Sequence, residues 1–234
     1  MTRPVAILIA GEPIESVKAS RGSFADMIRA SGAASSRSFQ DFDIRTGAEL
    51  PEPEQFAGIV VTGSAASVTD RAEWVVAGEA YLRAAVGARV PVFGICFGHQ
   101  MLGQALGGLV ERNPRGREIG TVRFDIIEPD PIFEAARAPF LANATHVDTI
   151  TRLPPGAQVL ARTALEPHAA VRFGVAAWGV QFHPEMDGAV VRAYLETRRM
   201  LLAEEGIDAD VLLAEADDGL AGTSTLERFL ASLS

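Results

Sequence analysis

The chain has 234 residues, 48% hydrophobic and 22% charged, the proportions of a compact folded domain rather than a disordered or fibrous chain. Its net charge of −9, from 21 Lys and Arg against 30 Asp and Glu, argues against a protein built to neutralise phosphates, so nucleic acid is not an expected partner. A single cysteine excludes an internal disulfide framework or a cysteine-based metal cluster. The four histidines form no HxxxH or HxH pair, so neither a metal nor a cofactor is expected. No run approaches the roughly 20 apolar residues that cross a bilayer. Val5 to Ala10 is too short an apolar stretch for a secretory signal, and a cytoplasmic protein without membrane contact is expected. With no repeat and no Gly/Ser linker, residues 1–234 read as one domain.

In chain order, short β-branched apolar runs alternate with helical spacing, the pattern of a mainly parallel sheet covered by helices on both faces. Val5 to Ile9 is a buried strand, Ser23 to Ser31 a helix, and Ser38 to Ile44 a second strand. Phe56 to Thr62 is a third, ending in Gly63-Ser64, and Glu73 to Val86 fits a helix. Val90 to Ile95 is fully apolar, as a central strand should be. A helix begins at Gly98 and stops at Gly107-Gly108. Between Ile119 and Phe173 the chain changes character: Thr121 to Ile127, Gln158 to Arg162 and Ala169 to Phe173 read as antiparallel strands added to one side of the sheet. Val175 to Phe182 is a further strand, stopped by Pro184, and a helix follows from Val190 to Leu202. Glu204 to Asp218 is acidic, with Ile207, Val211, Leu212 and Leu213 interspersed, which favours a docked amphipathic helix with a solvated face over a free arm.

The segment that carries chemistry is Gly94-Ile95-Cys96-Phe97-Gly98, a G-x-C-x-G between an apolar strand and a helix. Such an elbow presents a nucleophile at the carboxyl edge of a sheet, and the amino end of the following helix favours thiolate over thiol. The backbone N–H of Phe97 then points where an oxyanion would form. A lone buried Cys is more often a small hydrophobe, so the reading needs a base. Gln181-Phe182-His183-Pro184-Glu185 supplies one, because Pro184 ends the strand at His183. Residues two apart in an extended stretch face the same way, about 6.5 to 7 Å between Cα atoms, so Glu185 reaches the imidazole. Its carboxylate would fix the tautomer that leaves Nε2 for the thiol. His99 shares a helix face with Cys96 but has no orienting acid, and a packing role is expected. His146-Val147-Asp148 resembles a strand-end H-x-D that either lines a pocket or, as favoured, forms a surface turn, and His168 sits in the irregular middle.

Pro91 to Gln100 with Gly107-Gly108, and Gly179 to Glu185, resemble the class I (triad) glutamine amidotransferases, in particular the stand-alone, GMP-synthase-like branch. The resemblance spans nearly the whole chain and implies a three-layer, flavodoxin-like α/β fold. It implies Cys96 as nucleophile, His183 as general base and acid, Glu185 as its orienter, and Gln100 as a contact to the amino-acid end of the substrate. The family's oxyanion loop, usually Gly-Gly-Pro, corresponds to Thr62-Gly63-Ser64, which keeps one flexible turn and leaves the second donor open between Gly63 and Ser64. Asn113 to Gly120 is similar to a segment of the stand-alone branch; its Arg115 and Arg117 either meet a substrate carboxylate or face solvent. No nucleotide fingerprint is present, so the synthetase that such enzymes serve would be a separate polypeptide.

The expected chemistry is acyl transfer from glutamine or a related γ-glutamyl amide through a Cys96 thioester, yielding glutamate and ammonia. A self-sufficient γ-glutamyl peptidase is the alternative within the same chemistry, and a non-catalytic binding or regulatory module is the alternative outside it. A dienelactone-type hydrolase shares G-x-C-x-G but places its acid before the histidine, whereas His183 precedes Glu185 here.

Overall fold

The computed structural model describes residues 3–31, 37–133 and 139–233. Its core is a nine-stranded sheet in the order β2-β1-β3-β4-β11-β10-β9-β6-β7. The strands that make its parallel half are β1 (Val5–Ile9), β2 (Phe39–Asp43), β3 (Gly58–Val61), β4 (Val92–Ile95) and β11 (Ala177–Val180). The other half is antiparallel: β6 (Glu118–Ile126), β7 (Phe140–His146), β9 (Gln158–Arg162) and β10 (Ala170–Gly174). A separate ribbon pairs β5 (Leu109–Arg112) with β8 (Asp148–Arg152). The expected antiparallel addition to one side of a parallel sheet is therefore present, with more strands than the sequence pattern marks.

Alternation along each parallel strand sends neighbouring side chains to opposite faces, and both faces are covered. Val5, Ile7, Val60, Phe93 and Ile95 enter one buried cluster with Ala25 and Ile28 of α2 (Phe24–Ser31) and Leu226, Phe229 and Leu230 of α8 (Leu220–Ser232). Ala6, Leu8, Ile59, Val61 and Val92 enter the other, with Leu82 of α3 (Glu73–Gly87) and Met101 and Leu102 of α4 (Phe97–Ala105). Each large apolar side chain removed from water contributes about 1.5–3 kcal/mol, so this double burial fixes both the register and the position of β4 at the centre.

Three departures from the expected pattern concern α1, β6 and the helix after Pro184. α1 (Glu15–Arg21) falls in a stretch without an apolar stripe, because it buries only Val17. The strand expected from Thr121 begins at Glu118. The helix after Pro184 is two helices, α5 (Gly188–Thr197) and α6 (Arg199–Glu204), broken at Arg198. The acidic stretch forms the docked helix expected of it, α7 (Ala209–Glu215), capped by the Asp208 carboxylate and seated through Ala209, with Leu212 and Leu213 packed against the same cluster. No helix among the described residues is long and apolar enough to cross a membrane.

Candidate active site

The carboxyl ends of β3, β4 and β11 lie side by side. Val61 is in register with Gly94 and Val180 with Ile95, and the Cys96 N–H donates to the Val180 carbonyl at 2.8 Å. Each strand therefore delivers one loop to the same rim: Gly63-Ser64 after β3, Cys96 after β4, and Gln181 to Glu185 after β11.

Cys96 occupies φ 51°, ψ −100°, a conformation that a residue with a Cβ adopts only under constraint. The flanking glycines supply the constraint. A Cβ on Gly94 would stand 2.5 Å from the Gly98 carbonyl, and one on Gly98 would stand 2.5 Å from the Val61 carbonyl oxygen. The turn closes because both positions lack a side chain, and it throws the thiol out of the strand line. The sulfur lies 3.8 Å from the Thr145 carbonyl oxygen at the end of β7, and only 5% of the residue is exposed.

His183 is held from two sides. Its N–H donates to the Asn143 carbonyl at 2.8 Å, while the Asn143 side-chain amide donates to the Met186 carbonyl at 2.9 Å, pinning the His-Pro-Glu turn against β7. Glu185 Oε1 lies 2.7 Å from Nδ1, so with the carboxylate ionised the ring donates there and Nε2 is left for the thiol. Among the described residues the buried Nε2 has no hydrogen-bond partner, and the imidazole and the Cys96 thiol are coupled through their charges. Burial pushes the thiol up, but the His183 charge, helped by His146, outweighs it and holds Cys96 below the ordinary thiol range. Burial likewise disfavours the imidazolium, but the charges of Glu185 and Cys96 raise His183 to about 10. Both shifts favour a thiolate–imidazolium pair.

Gly63 faces the ring: a Cβ there would lie 2.8 Å from His183 Cε1. Its carbonyl accepts from the Thr62 hydroxyl at 3.0 Å, and that hydroxyl in turn accepts from the Ala10 N–H at 2.9 Å. Because the peptide is planar and trans, the N–H of Ser64 points away from the pinned carbonyl. Phe97 is the first residue of α4, where backbone N–H groups have no intrahelical acceptor. Gln100, on the same helix, lines a cavity of about 310 Å³ beside Cys96 together with Phe97, Ser64, Thr145 and Arg198.

The other histidines are placed as follows. His99 is fully buried against Phe173 and Gly179, and burial drives its pKa down to about 3, in keeping with the expected packing role. His146 is not in a surface turn. Its side chain is 1% exposed, with Nε2 3.1 Å from Glu118 and Nδ1 3.1 Å from the Asp148 carbonyl. Burial opposes its protonation, but the Glu118 hydrogen bond and the Glu166 charge prevail and raise its pKa. Glu118 and Glu166 are far from His146 in sequence, so no local pattern announces the cluster. Arg117 pairs with Glu205 at 2.7 Å, and Arg115 donates to the Ala164 carbonyl at 3.0 Å. Sequence reasoning missed Asn143, Tyr194 and Arg198, which carry no recognisable motif.

A doubly wound sheet with a constrained cysteine at the end of its central strand, next to a His–Glu pair at the end of the adjacent one, is the architecture of the triad amidotransferases. Residues 19–198 match the family described as glutamine amidotransferase class-I, a span that contains Cys96, His183 and Glu185, and the chain belongs to that family. It is 38% identical over 98 residues to a glutamine-hydrolysing GMP synthase subunit of Pyrococcus abyssi, covering 42% of this chain and 52% of that protein. It is 37% identical over 134 residues to the glutamine-hydrolysing GMP synthase of Thermomicrobium roseum, covering 55% of this chain and 23% of that protein. The chain thus spans about half the length of the archaeal protein, with a smaller share of the bacterial synthase. Among solved structures, a glutamine amido transferase from Methylobacillus flagellatus superposes with TM-score 0.79 at 25% identity over 100% of this chain and 96% of that one. A glutamine amidotransferase from Thermotoga maritima shares the fold, with TM-score 0.73 at 21% identity over 99% of this chain and 97% of that one.

Proposed function

We propose that the protein hydrolyses the γ-glutamyl amide of glutamine through a thioester on Cys96, releasing ammonia and glutamate. The observation that carries this reading is the 2.7 Å His183–Glu185 contact beside a sulfur held at positive φ. The Cys96 thiolate attacks the side-chain carbonyl, and the C=O electrons move to oxygen. The N–H groups of Phe97 and Ser64 receive that oxyanion, each contributing about 3 kcal/mol of barrier lowering. Collapse breaks the C–N bond as His183 Nε2 gives its proton to the departing nitrogen. Neutral His183 then takes a proton from water, the hydroxide adds to the thioester, and the C–S bond breaks to return thiolate, imidazolium and glutamate. Glu185 keeps the ring in the required tautomer throughout.

A second reading is favoured by one feature. A further cavity of about 250 Å³ opens on the His183 side, where the leaving amine departs, and is lined by Glu12, Ile14, Phe24 and Tyr194 among others. Ammonia alone does not need that space, so a γ-glutamyl peptide whose amine carries a substituent also fits. By analogy with the glutamine-hydrolysing GMP synthase relatives, a separate synthetase would consume the ammonia.

Purified protein incubated with glutamine and with γ-glutamyl peptides separates these readings by the rate of glutamate release. Cys96→Ala keeps the fold and loses product formation by orders of magnitude. Preference for glutamine, with stimulation by a synthetase, supports the first reading; unassisted turnover of peptides supports the second. Equal measurable rates for Cys96→Ala and the parent would remove the thioester, and no release by either protein would leave a non-catalytic module.

A further inference from the structure

Among the described residues Arg198 is a guanidinium in no ion pair with a carboxylate. It stands at the break between α5 and α6, half-buried, and donates through Nη1 to the Thr145 hydroxyl, with its Cζ 5.0 Å from the centre of the Tyr194 ring. Among the described residues no Asp or Glu oxygen lies within ion-pair distance of it. Its surroundings add like charge: Arg112 and Arg117 line the same cavity beside Cys96, and Glu205, which pairs with Arg117, is the acid set among the three. Burial and the Arg117 charge both work against the Arg198 cation, lowering its pKa. A partly desolvated Arg with no carboxylate paired to it at a cavity wall costs stability unless an anion arrives.

Other lining residues of the same cavity have the opposite character. The Gln100 amide nitrogen donates to the Asp148 carbonyl at 2.8 Å and to Gln181 Oε1 at 3.0 Å, which uses both of its hydrogens. Only Oε1 remains, so Gln100 can accept from a ligand but cannot donate to one. It therefore suits an ammonium and not a carboxylate. The Asp148 carboxylate, which accepts from the Ser67 hydroxyl, adds negative charge to the cavity.

We propose that Arg198 binds the α-carboxylate of the γ-glutamyl substrate, whose amino-acid end the family resemblance already sets at Gln100. The assignment rests on hydrolysis at Cys96. Scale agrees: the Thr145 carbonyl is 3.8 Å from the sulfur and the hydroxyl of the same residue holds Arg198. A two-methylene tether separates the scissile carbonyl from the α-carbon, so a substrate acylating Cys96 keeps its zwitterionic end inside this cavity. Planar, two-pronged donation to a carboxylate is what a guanidinium does best.

The test measures binding in Cys96→Ala protein by calorimetry, with glutamine, with glutaramic acid, which lacks the α-amine, and with 4-aminobutanamide, which lacks the carboxylate. Arg198→Gln is expected to weaken glutamine and glutaramic acid by roughly ten- to a hundredfold and to leave 4-aminobutanamide unchanged. Arg198→Lys keeps the charge without the fork and falls between. In protein retaining Cys96, the rate of alkylation by iodoacetate relative to neutral iodoacetamide falls in Arg198→Gln, a readout that needs no turnover. Equal weakening of all three ligands, or an unchanged alkylation ratio, would overturn the subsite. Absence of glutamate release by the parent protein, with the binding pattern intact, would sink the hydrolytic reading and leave the subsite standing.

Discussion

Gly63→Ala places one methyl group against the centre of the proposed chemistry. Its Cβ would lie 2.8 Å from His183 Cε1, against an ordinary carbon–carbon separation of about 3.5 Å, so the ring or the loop must give by roughly 0.7 Å. The loop resists, because the Gly63 carbonyl is tied to Thr62 and Thr62 to Ala10. The ring resists less, being anchored by Glu185 at Nδ1 and by its backbone N–H on Asn143. Its swing moves Nε2 relative to the sulfur. Misplacement on this scale costs about 10²-fold in rate when a reacting group is involved, while overpacking costs about 1–3 kcal/mol in stability. Glutamate release and thermal unfolding are measured on the same preparation. The expected result is a folded protein with a modestly lower Tm and a rate reduced about a hundredfold. Full activity with an unchanged Tm would refute the claim that Gly63 and His183 are in contact.

Two further outcomes follow from the same geometry. Glu185→Gln keeps the shape and removes the charge that raises His183, so glutamate release falls by about 10²-fold or more and the imidazolium is lost at lower pH; an unaltered rate at neutral pH would show that the carboxylate orients nothing. Gly98→Ala drives a methyl to 2.5 Å from the Val61 carbonyl oxygen, a backbone atom that cannot rotate away, and destabilises by about 3 kcal/mol, read as a loss of Tm of several degrees.

The parallel half of the fold and the elbow are legible in sequence because their signals are local. A four-residue apolar strand, a G-x-C-x-G and a helix pattern follow one another without interruption, and Pro184 marks the end of the neighbouring strand. β7 is not legible: Phe140-Leu141-Ala142-Asn143-Ala144-Thr145-His146 mixes small and polar residues because it lies at the sheet edge and against α8, and its importance comes from contacts with His183 and Cys96 made far along the chain. His146 resembles a turn residue in sequence since the carboxylates that bury it come from Glu118 and Glu166. α8 is readable in principle, for Leu226, Phe229, Leu230 and Leu233 follow helical spacing, yet it lies well beyond the motifs that carry the chemistry. Arg198 has no signal in sequence, where an unpaired arginine looks like any other.

The pH dependence of Cys96 alkylation by iodoacetamide tests most directly whether His183 holds the sulfur as a thiolate. The thiolate is lost as pH falls through the lowered Cys96 value, and the imidazolium as pH rises towards about 10, so the parent protein reacts faster at neutral pH than an ordinary thiol and slows as pH falls. In His183→Asn, burial and the Glu185 charge act unopposed by the imidazolium, and the rate at pH 7 drops at least about tenfold, recovering only above pH ~8.5. Superimposable profiles for the two proteins would contradict the account.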